Sequence, residues 1–196
     1  MSTLQVALLQ ADPALERLSG AERVAARSAH ARSALALAAQ HTGAALGPLT
    51  KGEHDAPRPS NGWHWSISHA RGLSAGVVAR APVGVDVEAI APRRQETVRR
   101  AAAREELELL GGFTWESFFR LWTAKEAVLK KAGCGILELA RCRLVAAPAP
   151  DVLVLEHRGS AHETRLCVWQ GHAAAVSCDA AFEVAWALHA GEEQVT

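Results

Sequence analysis

The sequence predicts an α+β fold built on antiparallel sheets, and three observations predict it. Strand-like and helix-like segments do not alternate, as a doubly wound parallel sheet would require. Short β segments separated by turns stand on both sides of a helical middle. Hydrophobic residues make up 49% and charged residues 21% of 196, the mix of a chain with a packed core. A chain of this length buries about 70% of its unfolded surface, so it needs no disulfide or metal staple. The order of segments divides near Val83 into two halves, residues 1–82 and 83–196, each pairing a helix with a small sheet.

Each element has a local reason. Leu4 to Leu9 is a short apolar run and reads as a strand. Ala21 to Gln40 is Ala-rich, lacks Gly and Pro, and reads as a helix ended by His41-Thr42-Gly43. Gly47 to Gly62 holds three prolines and three glycines, so it is a surface loop, and it carries Lys51. Trp63 to Ser68, Leu73 to Arg80 and Val83 to Glu88 read as three strands of a meander. Arg93 to Leu110 reads as one charged helix, broken by Gly111-Gly112. A second helix runs from Trp115 to Ala132 and stops at Gly133-Cys134-Gly135. Five strands follow: Cys142 to Ala146, Val152 to Glu156, Thr164 to Trp169, Ala173 to Cys178 and Phe182 to Leu188.

Composition excludes several classes of function. The 21 basic residues cancel the 21 acidic ones and the pI is about 7.1, against the basic excess of a nucleic-acid binder. No apolar run reaches the roughly 20 residues of a membrane-spanning helix. The first basic residue is Arg17, so the start lacks the charged opening of a signal peptide. A cytoplasmic chain with reduced thiols is the expectation. Cys134, Cys142, Cys167 and Cys178 have no C-x-x-C spacing and read as small core residues. Among the basic residues there are 17 Arg and 4 Lys, yet Lys125, Lys130 and Lys131 fall within seven residues. Such a cluster in an Arg-rich chain hints at a need for compact ammonium groups.

Three constellations could carry chemistry. In Val83-Gly84-Val85-Asp86-Val87-Glu88, alternation puts the valines on one face and Gly84, Asp86 and Glu88 on the other. The two carboxylates then lie about 6–7 Å apart along the strand and can converge on one hard divalent ion, Mg²⁺ rather than zinc. A bare acidic strand face would look the same. In Phe118 to Lys130, Trp122, Glu126 and Lys130 form one stripe, spaced i, i+4, i+8. Phe118, Leu121, Val128 and Leu129 would anchor that helix. A simple Glu126–Lys130 helix pair would need no function. Ser66-Ile67-Ser68-His69 closes a strand, where Ser and His could meet a phosphate. There is no G-x-S-x-G elbow, Walker loop or G-x-G-x-x-G.

Together these segments resemble the 4′-phosphopantetheinyl transferase family, in its broad-specificity, double-length single-chain type. The resemblance rests on Trp65-Ser66-Ile67-Ser68-His69, Val83-Gly84-Val85-Asp86-Val87-Glu88 and Trp122-Thr123-Ala124-Lys125-Glu126-Ala127-Val128-Leu129-Lys130, in that order and separation. It implies two similar halves about a pseudo-twofold axis, a cleft between them, and a monomer. It implies transfer of 4′-phosphopantetheine from coenzyme A to a serine of an apo acyl or peptidyl carrier protein, with release of 3′,5′-ADP. By the same resemblance Asp86, Glu88 and Glu126 would hold Mg²⁺. Lys125 and Lys130 would meet the pyrophosphate, and Ser68 and His69 the phosphates of coenzyme A. Arg32 would reach the 3′-phosphate, with Lys51 as a further contact. Glu126 would be the base, directly or through water, and Lys130 would assist the leaving phosphate. Glu105 matches an acidic position in the preceding helical run. Where the family often has Gly-Lys-Pro, this chain has Asp55-Ala56-Pro57, with Arg58 as the nearby cation.

Two other readings use the same residues. One is a non-catalytic coenzyme A or carrier-protein binding module. The other is a Mg²⁺-dependent phosphohydrolase. For a carrier protein, acidic around its serine by the same resemblance, Arg141 and Arg143 with Leu137 and Leu139 form the expected docking patch.

Overall fold

A computed structural model describes residues 2–179 and 181–190. The ends of the two expected halves, residue 1 and residues 191–196, lie outside the described residues. The first strand, β1 (Ser2–Gln10), is followed by a 3-10 turn at Pro13–Arg17 and the long helix α1 (Gly20–Thr42). α1 ends because Gly43 takes a left-handed φ of 66°, from which its N–H reaches the last carbonyls. Its buried stripe, Ala31, Ala34, Leu35, Ala38 and Ala39, has the helical repeat and is nearly all alanine.

That small-residue stripe matters where α1 crosses the strands. After the loop come β2 (His64–Ala70), β3 (Leu73–Ala79) and β4 (Val83–Ala89). A Cβ at Gly76 of β3 would stand 2.4 Å from the backbone N of Leu35. The helix backbone thus lies directly on the sheet. The first sheet has the order β2-β3-β1-β9, with β9 the last strand, Phe182–His189.

The expected three-strand meander is corrected. β2 and β3 form an antiparallel hairpin, but β4 leaves it and pairs with β8 (His172–Cys178). It becomes an edge strand of a second sheet, β4-β8-β7-β6-β5. β5 (Arg143–Ala149), β6 (Val152–His157) and β7 (Ser160–Trp169) complete that sheet, every pairing antiparallel. The expected division at 82/83 does not coincide with the sheets at its far end. The last strand, β9 (Phe182–His189), returns to the first sheet and runs parallel to β1, from Ser2↔Phe182 to Leu9↔His189. The reason is burial. Val83, Val85 and Val87 of β4 share one apolar cluster with Val6, Leu8, Val77, Val176 and Phe182. That cluster seals the two sheets together, and β9 supplies part of it.

The charged helix expected over 93–110 is two helices, α2 (Gln95–Ala101) and α3 (Arg104–Glu108). Ala102 between them is extended, at φ −136° and ψ 124°. Tertiary bonds override the local propensity. The carbonyl of Ala101 accepts from Lys125 Nζ at 2.8 Å instead of from a following turn. The Glu106 carboxylate accepts from the Ala103 N–H at 2.8 Å and starts a new helix.

The second long helix, α4 (Trp115–Lys131), opens with a reciprocal cap between Thr114 and Ser117. Phe118, Phe119, Leu121, Ala124, Val128 and Leu129 are fully buried against Leu153, Leu155 and Leu166 of the second sheet. α4 stops at Gly133, whose φ is 67°. It sits on β4 as α1 sits on β3, through a glycine. A Cβ at Gly84 would lie 2.0 Å from the Ala127 carbonyl oxygen and 2.5 Å from Lys131 N. Gly84→Ala should therefore destabilise the fold by at least the usual overpacking cost of about 1–3 kcal/mol. Gly135→Ala is the control, since nothing lies within 4 Å of its Cβ position. Melting curves check this: equal losses in both variants would refute the close approach.

Candidate active site

The contact at Gly84 sets the site. Asp86 and Glu88 follow it on the same face of β4, and the next residues of the α4 stripe are Glu126 and Lys130. Lys130 Nζ reaches Asp86 Oδ1 at 2.7 Å and the Val85 carbonyl at 3.2 Å. Asp86 is only 5% exposed. From the first sheet, Ser68 Oγ donates to the same Oδ1 at 2.8 Å. Ser66 Oγ accepts from the Val85 N–H at 3.1 Å, so the serines of β2 bind the open edge of β4. The strand–helix–strand arrangement thus draws on both halves of the chain.

The acidic trio is electrostatically coupled. Burial, then the charge of Asp86, pushes Glu126 up to about 7, with Glu88 adding to the repulsion and Lys130 opposing it. Glu88 is likewise pushed up to about 7 by burial and by Asp86, against the pull of Arg93 at 3.3 Å and of Lys130. Asp86 Oδ2 is buried and has no hydrogen-bond partner. An orphaned carboxylate oxygen beside two carboxylates that resist ionisation suits a hard divalent cation. All three donors are oxygens, the ligand chemistry of Mg²⁺. The residues fit the ion that the sequence implied.

A cleft of about 270 Å³ opens beside this trio. Lys51, Ser66, Glu126, Lys130 and the Gly133-Cys134-Gly135 turn line it. Lys51 is exposed and pairs loosely with Asp55 at 3.8 Å, a bond easily given up. Three other expectations meet a different geometry. Lys125 does not face the cleft. It is 2% exposed and gives its ammonium to Glu106 Oε2 and the Ala101 carbonyl, both at 2.8 Å. One position before Glu126, it is turned about 100° around α4 toward Ala101 and Glu106, so its ammonium is held in a buried pair instead of at the expected pyrophosphate position. The Ser68 hydroxyl is committed to Asp86 rather than turned to a ligand. Arg32 is exposed on α1 and lies outside the cleft lining. His69 stands exposed at the end of β2, near Asp86 and Lys130, with its pKa lowered by the surrounding protein and by Arg27.

Sequence reasoning missed Glu106. It is buried at 5% exposure, takes Lys125, and accepts the Leu144 N–H at 2.8 Å, tying α3, α4 and β5 together. Its neighbour Glu105, which the resemblance singled out, is exposed. The one sequence signal for Glu106 was its place just before Leu107 in a run whose apolar face turns inward. Ser66 was also missed as a positioning group. Of the expected docking patch, Arg141 and Arg143 are exposed and Leu137 is 95% exposed, whereas Leu139 is buried at 6%.

The two raised carboxyls fix the sign of a pH effect. Each pKa is about 7 in the fold against 4.5. Their favourable contribution is therefore complete below about 4.5 and is lost as pH rises through about 7. Cation binding reverses that loss. The rise in melting temperature on adding Mg²⁺ should be larger at pH 8 than at pH 5, and should shrink in Asp86→Asn. Equal Mg²⁺ shifts at both pH values would contradict the trio as the ion site.

Known proteins bear on this geometry. Residues 82–182 match the 4′-phosphopantetheinyl transferase superfamily, a span that opens just before β4 and holds Asp86, Glu88, Glu126 and Lys130. The 4′-phosphopantetheinyl transferase psf-1 of Bacillus pumilus is 36% identical over 78 residues, 38% of this chain and 34% of that relative. The alignment thus spans about a third of the relative's length. Among the described residues no helix is long and apolar enough to cross a membrane. With the family span covering the acidic strand, α4 and the whole second sheet, this chain belongs to the 4′-phosphopantetheinyl transferase superfamily.

Proposed function

We propose that this chain transfers 4′-phosphopantetheine from coenzyme A to a serine of an apo acyl or peptidyl carrier protein, releasing 3′,5′-ADP, and that it does so as a monomer with Mg²⁺. The observation that carries the reading is the coupled acidic group Asp86, Glu88 and Glu126, whose Glu126 lines a cleft together with Lys51 and Lys130. A dianionic pyrophosphate needs cations on one side and a proton acceptor on the other.

The residues divide that work. A divalent ion held by Asp86, Glu88 and Glu126 would withdraw charge from the pyrophosphate. Glu126 takes the proton from the carrier serine hydroxyl. A carboxylate raised to about 7 is matched to that task near neutral pH. The serine oxygen then bonds to the β-phosphorus, and the bond from that phosphorus to the bridging oxygen breaks. The leaving 3′,5′-ADP keeps the bonding pair, and Lys130 is placed to neutralise it. Ser68 holds the orientation of Asp86 and thereby of the acidic group. His69, at the end of β2 and with its pKa lowered, supplies a neutral hydrogen-bonding ring to the phosphates. Lys51, from its loop, lines the same cleft and would add a further cation.

Mass spectrometry of apo carrier proteins incubated with coenzyme A and Mg²⁺ tests the activity. An unchanged carrier mass with intact coenzyme A would favour the binding module, and coenzyme A cleavage without transfer would favour a hydrolase. Glu126→Gln should lower kcat by the 10²–10⁴-fold of a lost base. Lys130→Met should lower kcat more than it raises KM, while His69→Ala should chiefly raise KM for coenzyme A. Lys125→Met gives the contrast. It leaves a buried carboxylate unpaired, so it should cost on the order of 3–5 kcal/mol of stability while KM for coenzyme A in the folded protein stays put. Full activity in Glu126→Gln would end the catalytic reading of α4.

For the carrier, exposed Ile136 of the cleft lining and its exposed neighbour Leu137, with Arg141 and Arg143 following in the chain, offer apolar surface and positive charge. Charge reversal at Arg141 and Arg143 should raise KM for an acidic carrier and leave KM for coenzyme A unchanged. Carrier kinetics that ignore both the variant and added salt would exclude the patch.

A further inference from the structure

A second group of potential ligands lies on the other side of the turn that ends α4. Cys134 comes from that turn, Glu138 from the 3-10 turn Ile136–Arg141, and His157 from the end of β6. One sulfur, one carboxylate oxygen and one imidazole nitrogen of these residues all lie within 4.8 Å of one another. His157 Nε2 is 2.9 Å from Glu138 Oε2, and the Arg158 guanidinium grips the same carboxylate through Nε at 3.0 Å and through its NH2 nitrogen.

An ion-pair network that fastens the β6–β7 turn to the end of α4 accounts for Glu138, His157 and Arg158. It does not account for Cys134. The cysteine was expected in the core, like fully buried Cys142, but it is only partly buried. Its thiol makes only a long contact of 3.6 Å to the Ala132 carbonyl. The sulfur is therefore available at a place already furnished with a nitrogen and an oxygen donor from other elements. His157 is 2% exposed and its ring is fixed by packing, as a ligand should be.

We propose that Cys134, Glu138 and His157 form a binding site for a thiophilic divalent cation of the Zn²⁺ class, separate from the acidic trio. The donor set is sulfur, nitrogen and oxygen, which selects Zn²⁺ over Mg²⁺. Three protein ligands leave one tetrahedral position for water or for a ligand in the cleft, whose lining Cys134 shares with Glu126 and Lys130. Binding replaces the Cys134 S–H proton with the metal and releases that proton to solvent. His157 Nε2 gives up to solvent the proton that Glu138 accepts while Nδ1 takes one up, so that a neutral ring offers the Nε2 lone pair to the ion, and Arg158 must yield one carboxylate oxygen. Arg158 is thus a competitor built into the site, and it holds the affinity down.

Titration of the full-length chain with Co²⁺ tests this without reference to transfer activity. One Co²⁺ per chain should give a sulfur-to-cobalt charge-transfer band and tetrahedral visible bands. Zn²⁺ should abolish them, and excess Mg²⁺ should not. Cys134→Ser should lose the sulfur band and weaken Zn²⁺ binding by at least the 10–100-fold seen on losing a metal's outer partners. Arg158→Gln should bind Zn²⁺ more tightly than the unmodified chain, a gain that a misfolded variant would not produce. Absence of the sulfur band in the unmodified chain, or a band that survives Cys134→Ser, overturns the proposal.

Discussion

Backbone meets backbone where α4 crosses β4, and only a residue without a side chain allows it. At Gly84 the Ala127 carbonyl and the Lys131 amide occupy the space a Cβ would take. Any larger residue would push the helix away from the strand. Glu126 and Lys130 flank Ala127 along α4, and Asp86 follows Gly84 by two along β4. The position of the whole acidic group is therefore set by one missing methyl. The first half uses the same device at Gly76, beneath Leu35 of α1. There the stripe pressed on the strand is alanine-rich, so the close approach extends along the helix.

Holding three carboxylates together costs free energy, and the fold offsets it only in part. Lys130 and Ser68 both serve Oδ1 of Asp86, and Oδ2 is left without a protein partner. Glu88 has Arg93 at the rim, and Glu126 has no cation as close as the one Asp86 holds. Their raised pKa values record that imbalance. A site whose stability would improve on replacing its acids with neutral groups is built for a ligand rather than for the fold. The opposite face of α4 shows the contrast. There the Lys125–Glu106 pair is reinforced from the backbone, by the Ala101 carbonyl on the ammonium and by the Ala103 and Leu144 N–H groups on the carboxylate.

Much of this was legible in the sequence because it is periodic. Alternation alone separated Val83, Val85 and Val87 from Asp86 and Glu88, and the structure puts the valines in the core between the sheets. The i, i+4 stripe of α4 gave Glu126 and Lys130. Strand pairing was not legible, because a turn between two strands does not state that they stay in one sheet. Ala81-Pro82 reads as a hairpin turn, yet it is the crossing from one sheet to the other. The return of β9 to β1 joins residues nearly the whole chain apart, which no local pattern encodes. The break at Ala102 was hidden for a related reason. Its cause is a lysine from α4, distant in sequence, that claims the Ala101 carbonyl.

The scarcity of lysine now has a physical account. Each lysine of the cluster fills a place that a guanidinium could not. Lys125 reaches a buried carbonyl and a buried carboxylate oxygen through one nitrogen, where a planar fork would bring five donors to two acceptors. Lys131, its side chain 3% exposed, spans Asp179 and His162 at 2.7 Å each, joining α4 to the far edge of β8 and to β7. Lys130 is the one left with room to move, its side chain 29% exposed at the edge of the cleft. Lys125 ties α4 to α2 and α3 and Lys131 ties it to the second sheet, while the third ammonium, between them on the helix, faces Asp86 and is the one that the proposed function gives to a phosphate. α4 is thus locked through the two buried lysines, and the more exposed charge is left at the edge of the cleft.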